Sequence, residues 1–291
     1  MTASRRIELV SVFAAGPGGG NPAPVVVDAT GLSDADMRAV AKSYGHESVF
    51  VLPPPDASSD FTFRFFVPNH EMEMCGHATV GALWLLNRLG RLPRDHIRIA
   101  TLSGIVQGRI TQGRVEISQP KGRLEDLPDA DRSTANILSV LGIDETALAP
   151  QPIRNASTSR MKTLIPLKSV AILDGLRPDF ARIEQVCEAI GSTGLYPFTV
   201  LDGERGIFDA RQFPKSSGYP EDAATGIAAA ALAFGLLENR QVTAEEPVRV
   251  RQGRAMGRAS EIRVRFETGP ARTVTGCWLG GDVRLEDMPD R

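Results

Sequence analysis

The sequence is poor in the residues that would tie it to a disulfide scaffold, a membrane or nucleic acid. Its 291 residues hold three cysteines, Cys75, Cys187 and Cys277, odd in number and widely spaced, which gives neither a disulfide framework nor a metal-ligand spacing. No run approaches the roughly 18 apolar residues that would span a bilayer. The short apolar stretch after Arg5 and Arg6 alternates as a strand does, unlike a signal segment. Neither sign of charge prevails: 33 basic and 35 acidic side chains leave a net charge of −2, too weak a field for nucleic acid or an anionic membrane. The Gly-rich residues 16–20 lack both the GxGxxG context and a following Lys, so no nucleotide or flavin site is expected. These absences point to a cytoplasmic protein that uses no cofactor and no metal.

What the chain does have is a repeated device. Residues 68–86 (PNHEMEMCGHATVGALWLL) and 214–237 (PKSSGYPEDAATGIAAAALAFGLL) each follow an aromatic strand ending at a proline, pass through acidic residues to a glycine, and enter an Ala-rich apolar helix. A helix start presents unbonded N–H groups and the positive end of the helix dipole. Two such starts facing each other would cradle a small anion such as a carboxylate. The length is that of two domains, and 42% hydrophobic with 23% charged residues is an ordinary globular composition.

The coarse reading supports an α+β fold of two similar halves. In the first, strands are expected at 7–13, 24–27, 47–52 and 61–67. Ser33 caps a helix that ends at Gly45, and an apolar helix covers about 77–89. Short strands at 97–101, 104–110 and 113–119 follow, separated by glycine turns. The polar segment beginning at Lys121 marks the boundary. Beyond it, helices are expected at 134–141 and 180–190, and strands at 163–167, 170–173, 198–201 and 207–213. The second buried helix covers about 226–237, and strands at 248–252, 261–266 and 273–279 close the sheet.

Few side chains can carry chemistry. His77 stands at the start of the first apolar helix, where it is either a satisfied buried histidine or a proton relay and carboxylate partner. His46, His70 and His96 read as loop residues. Glu47 sits at the mouth of an apolar strand, either as a solvated end residue or, when desolvated, as a general base. Glu221 and Asp222 precede the second helix and complement its dipole, which is compatible with catalysis. Glu71 and Glu73 read as structural. Cys75 precedes Gly76 at a helix start, which favours a thiolate. A two-thiol racemase needs a second cysteine at the equivalent place, and there the chain has Thr225.

The motifs GNPAPV from Gly20, HESVFV from His46, FVP followed by EMCGHAT, GYPEDAATG from Gly218 and QGRAMGR from Gln252 resemble, in that order, the phenazine-biosynthesis PhzF-like family. The matches run over nearly the whole chain. The resemblance implies the diaminopimelate epimerase-like fold: two pseudo-symmetric halves, each a curved, mostly antiparallel sheet wrapped round a central apolar helix, with the active site in the cleft between them. The halves are expected at 1–120, completed by a C-terminal strand within 277–291, and at 121–276. The implied activity is that of a cofactor-independent isomerase or epimerase acting on a small carboxylate-bearing substrate, and a homodimer is expected. Glu47 is implied as the general acid/base, with His77 and Asp222 as its polar partners. Gly76, Ala78, Thr225, Gly226 and Ile227 are implied to line the substrate. The family pattern commonly has Ser after the second Thr-Gly, and this chain has Ile227. A hydroxyl is thereby exchanged for an apolar side chain, pointing to a different or more apolar substrate. The alternative is a metabolite-binding or interaction protein of the same fold with altered catalysis.

Overall fold

A computed structural model of the chain describes residues 7–216 and 219–286. Two compact units divide it: the first takes residues up to Ser118 together with those from Gly280 on, and the second takes Gln119–Leu279. The elements in chain order begin with β1 Ile7–Val12, β2 Asn21–Val26, α1 Asp34–Tyr44, β3 Ser48–Leu52, β4 Phe61–Phe66, β5 Glu71–Met72 and α2 Gly76–Arg88. Next come β6 His96–Thr101, β7 Gly104–Thr111, β8 Arg114–Pro120, β9 Arg123–Asp126, α3 Ala130–Leu141, β10 Arg154–Ser157 and β11 Lys162–Pro166. α4 Val170–Gly175, α5 Phe180–Ala189, β12 Gly194–Asp202, β13 Ile207–Ala210, β14 Phe213–Pro214 and α6 Gly226–Glu238 follow, then β15 Val248–Gln252, β16 Ser260–Thr268, β17 Val274–Gly280 and β18 Val283–Leu285.

Strand pairing shows that the device found in the sequence is part of a larger repeat. In the first unit β18 and β1 are antiparallel, β1 and β2 antiparallel, β2 and β3 parallel, β3 and β4 antiparallel, β4 and β6 parallel, and β6 and β7 antiparallel. In the second unit β9 and β10 are antiparallel, β10 and β11 antiparallel, β11 and β12 parallel, β12 and β13 antiparallel, β13 and β15 parallel, and β15 and β16 antiparallel. The alternation is the same at every step. In both units the apolar helix lies between the last two of the parallel-paired strands in sequence: α2 before β6, and α6 before β15.

The physical cause is burial. α6 is apolar on all faces, and its residues from Ala228 to Leu236 are buried, so a sheet must cover it. It packs on β9, β10, β11 and β16, as α2 packs on β1, β2 and β3. A second layer lies on the other side of each sheet. Met37 and Ala41 of α1 pack with Val26, Phe50 and Phe66, and α3, α4 and α5 build a larger cluster around Ile137, Ile165, Leu173, Ile183 and Phe213. β3 is therefore buried on both faces, which explains its unbroken apolar run.

The structure corrects two expectations, at residues 170–173 and 207–213, and adds a strand beyond the expected boundary. Residues 170–173 form no strand but the start of α4, because Ser169 caps the run by accepting from the Ile172 N–H at 3.3 Å. The polar segment after Lys121 contains β9, a strand paired to β10 along one edge whose charges face outward, Asp126 meeting Arg154 at 3.0 Å. The expected strand 207–213 is interrupted at Arg211 and Gln212, between β13 and β14. Of the segment 277–291, residues 287–291 lie outside the described residues, as do residues 217 and 218 of the second motif.

α1 aims the chain at β3. Ser33 and Asp36 form a capping box at its start, and Gly45 closes it at φ 69. A Cβ on Gly45 would meet nothing within 4 Å. Gly45→Ala is therefore expected to cost about 1–2 kcal/mol by backbone strain alone, read as a shift in the urea midpoint with unchanged slope.

Candidate active site

Glu47 follows that turn by two residues and precedes β3, with its side chain 17% exposed. Cys75 is the residue at which the chain passes from strand to helix, with φ −134 and ψ 112. Its carbonyl accepts from the Thr79 N–H at 3.0 Å and from Thr79 Oγ1 at 2.7 Å, which fixes the start of α2. The consequence is a tight triad. Cys75 Sγ donates to Glu47 Oε2 at 3.4 Å and lies 3.4 Å from His77 Nδ1, which is itself 3.5 Å from the same Oε2. Cys75 and His77 are buried at 5% and 6% exposure. The carboxylate is thus held at one oxygen by a thiol and an imidazole, at the positive end of a helix. Gly76 stands between the two ligating side chains, and a Cβ there would meet only Ile117 Cδ1 at 3.8 Å. Packing within the unit does not demand this glycine.

The second unit furnishes its corresponding helix start differently. Thr225 takes the position of Cys75, with φ −119 and ψ 93, and neither residue caps its own helix through its side chain. Thr225 Oγ1 donates to Asp222 Oδ2 at 2.5 Å. Gln252 binds the whole turn: its Nε2 donates to the Asp222 carbonyl at 2.7 Å and to Thr225 Oγ1 at 3.2 Å, while its Oε1 accepts from the Tyr196 hydroxyl at 2.9 Å. Burial, with the charge of Asp222 adding to it, pushes the Tyr196 phenol far above its ordinary range, so it stays a donor. Gly253 is at φ +78, and a Cβ would lie 2.6 Å from the Ala223 carbonyl and 2.4 Å from that of Arg258. No other residue fits there without moving backbone. Ile227 is half-buried in the first turn of α6, behind Gly226.

Over these positions, a family profile described as phenazine biosynthesis-like protein matches residues 10–278. The chain belongs to the phenazine biosynthesis-like family. YddE of Escherichia coli, named an uncharacterised isomerase, is 33% identical over 264 residues, 88% of each chain. The trans-2,3-dihydro-3-hydroxyanthranilate isomerase of Pseudomonas aeruginosa is 28% identical over 283 residues, 95% of each chain. The crystal structure of a PhzF-family protein of Bacillus anthracis superposes with a TM-score of 0.84 over 97% of this chain and 96% of that one, at 23% identity, which shows a shared fold. Isomerase is the activity that membership in the phenazine biosynthesis-like family gives the chain.

Of the residues expected at the site, the structure brings Glu47 and His77 together and adds Cys75, and it joins Asp222 to Thr225. Ala78 is buried in the first turn of α2. Glu221, expected to complement the helix dipole, is drawn into a buried, two-pronged ion pair with Arg211, at 2.8 and 2.7 Å, and Arg211 also donates to the carbonyls of Leu173 and Leu176. Glu71 likewise grips Arg64 at 2.7 and 2.5 Å, and Glu73 is exposed. Gln252, Tyr196 and Arg211 escaped the sequence reading. Gln252 opens one of the quoted motifs, yet nothing local tells that it reaches Asp222, 30 residues away.

Gln252→Leu strips Tyr196 and the Asp222 carbonyl of buried partners and is expected to cost about 3 kcal/mol in a denaturant titration. Tyr196→Phe is expected to cost less in that background than in the native protein. Additive losses would contradict the network.

Proposed function

We propose that this protein is a cofactor-independent isomerase that moves a proton on a small carboxylate-bearing metabolite, with Glu47 as the general acid and base. The carrying observation is the Glu47 carboxylate, largely buried and held at 3.4–3.5 Å by Cys75 and His77 at the start of α2. A carboxylate so placed takes a proton from one carbon of the substrate and returns one to another. The electron pair shifts within the substrate, and no redox partner takes part. His77 and Cys75 fix the direction in which Glu47 presents its oxygens. The first N–H groups of α2 precede its hydrogen-bond ladder, and the missing side chain of Gly76 leaves room for a substrate carboxylate there. The name of the P. aeruginosa relative supports a carboxylate-bearing ring as substrate class. Ile227, where a hydroxyl is common in the resembled family, favours a less polar compound than that relative's. The proposal includes a homodimer in the cytoplasm.

Asp222, fixed by Thr225 and Gln252, is assigned to substrate anchoring, with Ala78, Thr225, Gly226 and Ile227 beside it in role. One observation favours a second reading, a metabolite-binding protein that has lost turnover: the apolar Ile227 in the first turn of α6. The two readings part at Glu47→Gln. Turnover of a carboxylate substrate is expected to fall by at least about a hundredfold, with thermal unfolding little changed, and Asp222→Asn is expected to lower kcat/KM. Full turnover in Glu47→Gln would remove the assigned role. Ligand-induced stabilisation of the native protein without any turnover would favour the binding protein.

A further inference from the structure

The triad at Glu47 has a second chemical capability. For ligands about 2.0–2.3 Å from a tetrahedral zinc ion, the distances between neighbouring ligand atoms come to about 3.3–3.8 Å. The three edges here, Sγ to Oε2, Sγ to Nδ1 and Nδ1 to Oε2, are 3.4, 3.4 and 3.5 Å. They outline one face of such a tetrahedron, and a carboxylate oxygen, a thiol and an imidazole nitrogen all lie within 4.8 Å of one another. We propose that Glu47, Cys75 and His77 bind one thiophilic divalent cation of the zinc class, and that the metal-bound protein is the inhibited form of the isomerase. This inference rests on the reading of Glu47 as the acid and base.

The donor set selects the metal. Cysteine and histidine with one carboxylate suit zinc or cobalt, whereas magnesium and calcium require oxygen ligands in larger number. Charge is compensated: the Glu47 carboxylate and a Cys75 thiolate together carry two negative charges against the two of the ion. The positive end of α2 opposes a cation, but at roughly half an elementary charge it is outweighed by these ligands. Binding releases the Cys75 thiol proton to solvent and leaves the metal's fourth position to water. The hydrogen-bonded arrangement of the same three groups is the metal's competitor. Coordination commits the Glu47 carboxylate, the proposed acid and base, to the metal, so turnover stops until the metal is removed. The other two thiols are poor rivals: burial holds Cys187 at about 11 and Cys277 at about 12.

The test is titration of the full chain with cobalt(II) alone, no substrate present, followed in the near-ultraviolet and visible. The expected result is one equivalent bound, with a sulfur-to-cobalt charge-transfer band, displaced by zinc and unaffected by excess magnesium. Cys75→Ser is expected to lose the band. Glu47→Gln, nearly isosteric, is expected to keep it with affinity lowered more than about tenfold, which covers the case of a Cys75 variant that fails to fold. Absence of the band in the native protein, or its persistence in folded Cys75→Ser, overturns the site. In parallel, one equivalent of zinc is expected to abolish turnover and a chelator to restore it; full activity in the zinc-loaded protein overturns the inhibitory role. Because the cobalt signal needs no turnover, a failure of the isomerase reading leaves it standing, and its own failure leaves isomerase activity untouched.

Discussion

A helix that is apolar on every face has to be enclosed, and two such helices govern this protein. α2 and α6 are both 13 residues long, and neither offers a polar face to water over most of its length. Each unit solves the problem with the same succession of strand pairings, two antiparallel and then parallel, antiparallel, parallel and antiparallel, in a sheet that packs on its helix. Burying the helix also fixes where it begins. The extended residue before the first helical glycine has similar backbone angles in the two units, and no side chain caps either start. The helix starts are therefore positively polarised, with their first N–H groups outside the helix ladder, which is where anion chemistry is cheap to build.

The repeat is one of backbone and not of chemistry. In the first unit the residue before the glycine is Cys75, and it meets Glu47 and His77. In the second it is Thr225, tied to Asp222 and Gln252. That difference removes the second thiol that a symmetric two-thiol exchange needs. Among the described residues, the donor set proposed for a zinc-class ion lies in the first unit. Supporting polar contacts are concentrated around the second helix start, where Arg211 with Glu221, and Tyr196 with Gln252, pin the loop from below. Such buried, fully paired groups specify one geometry at the cost of tolerance to substitution.

Much of this was legible in the chain because it is written in local signals. The Ser33 and Asp36 cap, the Gly45 stop, the two apolar helices and the alternating strands follow from residue chemistry within a few positions. Glu47 and His77 were recognisable as candidates from their places at a strand mouth and a helix start. What stayed hidden depends on partners distant in sequence. β9 looks like a linker because an edge strand may be polar on its outer side, and its partner β10 lies beyond a helix. α4 reads as a strand because four apolar residues carry no period, and only Ser169 tips the balance. The thiol of Cys75 touches Glu47 across 28 residues, so a spacing rule for metal ligands passes over it.

The most direct test of the central claim is proton NMR of a turned-over carboxylate substrate in heavy water, comparing the native protein with Glu47→Gln. The account predicts deuterium at the carbon that receives the proton in the native reaction, and none in the variant over the same interval. Deuterium entering at equal rates with and without the Glu47 carboxylate would contradict it.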